Sequence, residues 1–149
     1  MIVPLAAAVL LTGKMAAFNP LLGHTWSCAS TVRIPKKPDQ HVRMRITVDA
    51  QPQNSFSAYI AADGFAGTQY FGYDAKAGHY WANTANSDGS QLRQTSDDGV
   101  TFSGSIVGSP ISIADTFAID RNGIWKIHDV LTTPSGTNVT TDSVCTLSS

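Results

Sequence analysis

From His41 to Asp49 the chain alternates without a break: Val42, Met44, Ile46 and Val48 are apolar, and His41, Arg43, Arg45, Thr47 and Asp49 around them are polar. A period of two is that of a half-buried β-strand, with one face in a core and the other in water. Phe56, Ala58 and Ile60 repeat the pattern against Ser55, Ser57 and Tyr59, and Val100, Phe102, Gly104 and Ile106 repeat it against Thr101, Ser103 and Ser105. Further runs rich in β-branched and aromatic residues cover 111–120 and 124–132. The last candidate strand, 139–147, carries Val139, Cys145 and Leu147 on one face. Turn dipeptides punctuate these runs at Asp63-Gly64, Asp88-Gly89, Asp98-Gly99 and Asn122-Gly123, and longer loops fall at 74–78 and 134–138. No stripe of helical period follows Ala17. The pattern predicts an all-β domain of nine or ten strands in a meander. Closure into an antiparallel up-and-down β-barrel is expected, because it leaves no open edge to aggregate.

Ahead of the strands lies an apolar run, Ile2 to Leu11, followed by the small residues Ala16 and Ala17. Ten apolar residues are too few to span a bilayer, which takes roughly 20, and they suit the core of a secretory signal. Residues 1–17 are therefore read as a signal peptide and 18–149 as a single barrel domain, secreted or periplasmic. The alternative is an apolar segment packed on the domain. In an oxidising compartment Cys28 and Cys145, one near each end of the barrel sequence, are free to form a disulfide between the first strand and the last.

Charged residues make up 14% of the chain and the net charge is −1, against roughly 25% charged in ordinary soluble proteins. That balance leaves no electrostatic footprint for nucleic acid or for an anionic membrane, and no membrane association is expected once the signal is removed.

Three stretches resemble known proteins. Leu21-Leu-Gly-His-Thr-Trp-Ser-Cys28 is similar to the Leu-x-Gly-x-Trp opening strand of lipocalin-like (calycin) barrels. Phe71-Gly-Tyr-Asp-Ala-Lys-Ala-Gly-His-Tyr-Trp81, with Ser87-Asp-Gly89 after it, resembles the Gly-Tyr-Asp hairpin of the uncharacterised exported bacterial proteins of DUF1579 type. The closing strand with Cys145 is similar to that of members with a Cys near each end. The resemblance implies a lipocalin-like barrel of about ten strands around a central cavity, with Trp26 closing one end. Related nitrobindin-like barrels hold haem through a histidine. Here Ser27, Cys28 and Ala29 stand where those proteins carry glycines, and His128 is the best axial candidate.

No nucleophile elbow, phosphate loop, His-Glu-x-x-His or c-type haem motif is present. Neither an enzyme nor a cofactor is expected, and no metal site, since tight hairpins account for the Asp-Gly pairs. The first functional reading is an exported, non-catalytic binding protein that holds a small, mostly apolar ligand. Met44, Phe56 and Phe102 would line its cavity, with Tyr70 and Tyr80 towards the rim. A structural or protein-interaction barrel with a filled core is the alternative, and a haem-binding barrel the second.

Overall fold

The alternating segments become strands because a period-two chain can bury its apolar face only against other strands. In the computed structural model, which describes residues 9–148, they are β1 (His24–Arg33), β2 (Gln40–Gln51), β3 (Ser55–Ala62), β4 (Phe65–Asp74) and β5 (His79–Asn86). The second half is β6 (Gln91–Ser96), β7 (Thr101–Ile106), β8 (Ser112–Ile119), β9 (Trp125–Thr132) and β10 (Asn138–Leu147). Each strand pairs antiparallel with its neighbours in sequence, and β10 pairs with β1, so ten strands close into an up-and-down barrel. Among the described residues no helix is long and apolar enough to cross a membrane.

The seam between β1 and β10 sets Cys28 directly opposite Cys145, and the two form a disulfide across 117 residues of sequence. Both cysteines are buried. Next to them on the inward face, Ser30 and Ser143 share a hydrogen bond of 2.7 Å.

Before β1, Gly13–Leu21 forms a short 3-10 segment that lies across the end of the barrel where β1 begins and β10 finishes. Met15, Phe18 and Leu21 of this segment are buried, as is Leu11 just ahead of it. The Phe18 ring lies 5.0 Å from that of Phe56 and 5.9 Å from that of Tyr80. Thr12 and Asn54 of the β2–β3 turn bond each other through backbone and side chain, and the Tyr80 hydroxyl donates to the Lys14 carbonyl. Residues 1–8 of the expected signal lie outside the described residues, whereas Leu11 and Met15, within its remainder, are buried at this end of the barrel. Trp26, the residue expected to close an end, is 2% exposed. Its ring meets Trp125 edge-on at 5.5 Å, and its indole nitrogen donates to the Leu21 carbonyl.

Two glycines are fixed by close approach. A Cβ on Gly72 would lie 2.3 Å from the Trp81 ring, which covers β4 from the outer face. One on Gly104 would lie 1.8 Å from the Arg93 carbonyl oxygen, so β6 and β7 can run this close only with glycine there.

The disulfide restrains the unfolded chain over a loop of more than 100 residues, a loss of entropy of roughly 4–5 kcal/mol. The double variant Cys28→Ser/Cys145→Ser is expected to be less stable than the oxidised parent by about 4 kcal/mol in urea unfolding at neutral pH. The parent should fall to the same level on reduction.

Candidate functional site

Alternation sends every second side chain inward, but those side chains do not meet in the middle. Many are short: Ser30, Ala58, Ala62, Thr84 and Gly104 all occupy inward positions. The result is a cavity of about 530 Å³ along the barrel axis. Phe18 and Leu21 of the 3-10 segment line its inner end together with Trp125. At the other end it is lined by Ala62, Asp63 and Phe65 around the β3–β4 turn and by Asn86 and Ser90 around the β5–β6 turn. Asp63 and Phe65 are exposed, so the cavity opens to solvent there. Met44, Ile46, Phe56, Ala58 and Ile60 form a continuous apolar wall on β2 and β3.

The other wall is polar at its centre. Asp115 on β8 and Asp129 on β9 are direct cross-strand partners, and both line the cavity. Gln94 on β6 reaches past β7 and donates to Asp115 Oδ2 at 2.7 Å, and Gln69 on β4 donates to Gln94 Oε1 at 3.1 Å. Asp115 Oδ1, Thr84 Oγ1 and Trp125 Nε1 are buried without a partner among the described residues, and all three belong to residues that line the cavity.

Two carboxyl groups side by side in an apolar hollow cannot both ionise cheaply. Burial first, then the charge of Asp115 and the hydrogen bond to it, push the Asp129 carboxyl up to about 8, with a smaller contribution from Asp142 behind the sheet. Burial also raises Asp115, although the hydrogen bonds from Gln94 and Asp129 pull it the other way. With its carboxyl raised to about 8, Asp129 keeps its proton near neutral pH. The arrangement can accept hydrogen bonds from a guest and can take up or release a proton.

Of the residues expected at the site, Met44 and Phe56 line the cavity. Phe56 stacks on Phe71 at 4.5 Å, nearly parallel. Phe102 points inward but is fully buried in the packed end of the barrel, between Phe71 and Phe117. Tyr80 also points inward at that end, whereas Tyr70 stands on the outer face, 47% exposed. The structure thus brings Met44 and Phe56 together at the hollow and leaves Phe102, Tyr80 and Tyr70 away from it. His128 lies on the outer face of β9 and bonds Asp142 through Nδ1 at 2.6 Å. Among the described residues no histidine lines the cavity, and His128, the expected axial ligand, points away from it. His79 pairs with Asp74 in register at the ends of β4 and β5, away from the cavity.

The carboxyl pair and its two glutamines escaped the sequence reading. The signal was there: Asp115 falls between Ile113 and Phe117, and Asp129 between Ile127 and Leu131, each an acid in the apolar phase of a strand. An acid in that phase is buried by construction and calls for an explanation.

No protein-family model matches this chain, and no curated protein matches it.

The proton on Asp129 has a consequence for stability. The unfolded chain ionises this carboxyl in the ordinary range near 4 and the folded chain at about 8, so between these values the folded state binds more protons. Stability must then fall as pH rises through that window and level off above it. The melting temperature is expected to drop between pH 5 and pH 8 when followed by circular dichroism. Asp129→Asn should flatten this slope and melt higher than the parent at pH 8.

Proposed function

We propose that this chain is an exported, non-catalytic binding protein that holds one small, mostly apolar molecule in the hollow of its barrel. The observation that carries the reading is the cavity itself: about 530 Å³, floored by the 3-10 segment and open at the opposite end. Cavities of roughly 300–1,000 Å³ are the usual size for small-molecule sites. A barrel filled by its own side chains, the alternative expected from sequence, would leave no such space. The buried disulfide supports export, since such bonds persist in oxidising compartments. The polar outer face, with Arg43, Arg45, Arg93 and Lys126 exposed, supports a barrel that works in water rather than in lipid. The same reading keeps the resemblance to DUF1579-type barrels: Gly72-Tyr73-Asp74 ends β4 as a hairpin, and Trp26 seals the floor.

The test is binding of the neutral fluorescent probe N-phenyl-1-naphthylamine to delipidated protein, with native mass spectrometry before delipidation. The expected result is one probe per chain. Leu131→Trp, which fills the hollow from β9, should weaken it by about tenfold, or ~1.4 kcal/mol. No fluorescence gain together with no co-purifying mass would count against the reading.

A further inference from the structure

Away from its mouth, where Asp63 stands, the hollow holds one acidic pair, and no basic residue lines it among the described residues. Around Asp115 and Asp129 the inward positions are neutral: Phe102 and Gly104 on β7, Gln94 on β6, and Thr141 and Ser143 on β10. Above and below on their own strands stand Ile113, Phe117, Ile127 and Leu131. The basic side chains of the strands, Arg43, Arg45, Arg93 and Lys126, all fall in the opposite phase and are exposed. Behind the sheet, Asp142 is engaged by Arg33 and His128 on the outer face.

A buried carboxylate without a partner charge is costly and is ordinarily paired with a cation or removed. Asp115 is 6% exposed, its Oδ2 is held by Gln94, and its Oδ1 has no donor. That free oxygen and the neighbouring Asp129 lie across the cavity from the apolar wall of Met44, Ile46, Phe56 and Ile60. We propose that the ligand is an apolar amine, whose ammonium group sits on Asp115 and Asp129 while its hydrocarbon body fills the hollow. An ammonium carries three donors and the missing positive charge, and hydrogen bonds from a charged donor to a carboxylate are the strong kind. A fatty carboxylate of the same length would bring a second negative charge to the pair and is rejected. The inference deepens the binding reading above and rests on it.

The experiment compares three probes of one chain length, octylamine, octanol and octanoate, by calorimetry on delipidated parent protein at pH 7.5. Octylamine should bind about tenfold more tightly than octanol, the scale of one charge-assisted contact, and octanoate should not bind. In Asp115→Asn/Asp129→Asn the advantage of octylamine over octanol should vanish while octanol binding persists. These isosteric changes remove buried charge, and the parent comparison stands whether or not the variant folds. Octanol bound as tightly as octylamine, octanoate bound at all, or an amine preference that survives in the folded double variant would overturn the amine inference and leave the hollow barrel standing. Failure of all three probes would overturn both.

Discussion

Closure of the sheet between β1 and β10 is the constraint from which the rest of the molecule follows. A closed barrel has no edge, and its strand number sets its diameter. Eight strands give an interior that side chains can just fill. Ten strands enclose more, and here the inward positions include Ser30, Ala58, Ala62 and Thr84 rather than large residues throughout. Packing is therefore concentrated at one end, where the 3-10 segment adds Met15, Phe18 and Leu21 to the rings of Phe56, Phe71, Tyr80 and Phe102. The remainder is space.

That division of the barrel into a packed end and a hollow end explains the electrostatics. Asp115 and Asp129 would be ordinary surface acids one position along their strands. In the inward phase they face a cavity that no basic residue lines among the described residues, so burial raises both carboxyls, while Gln94, itself held by Gln69, satisfies one oxygen of Asp115. A carboxyl held this way costs folding stability, and Asp115 Oδ1 is left without a donor among the described residues.

Much of the fold was legible in the sequence because alternation and turn chemistry are local. The strands around Val42–Val48, Phe56–Ile60 and Phe102–Ile106 lie where period two puts them, and each Asp-Gly pair sits at a hairpin. β6 was harder, since only Leu92 of its inward residues is apolar and Gln94 and Ser96 share that face. The opening strand begins at His24 rather than at Leu21, because Leu21 is drawn into the floor by burial. The site was less legible than the fold. Alternation says that Phe102 and Tyr80 point inward, but not how far along the axis they stand, and that coordinate separates plug from pocket. Tyr70 follows Gln69, and its exposure is the other half of the same alternation.

The seam bears on how the barrel forms. Nine of the ten pairings join strands consecutive in sequence, so each is a hairpin that can register from contacts close along the chain. Only β1 with β10 must bring together residues 117 apart, and ordering so long a loop before any contact offsets it is slow. The two cysteines sit in that one non-local pairing. If they are oxidised while the chain is still open, the most distant contact of the fold becomes a short-range one, and the order in which disulfide and strands form decides whether closure is the last event or an early one.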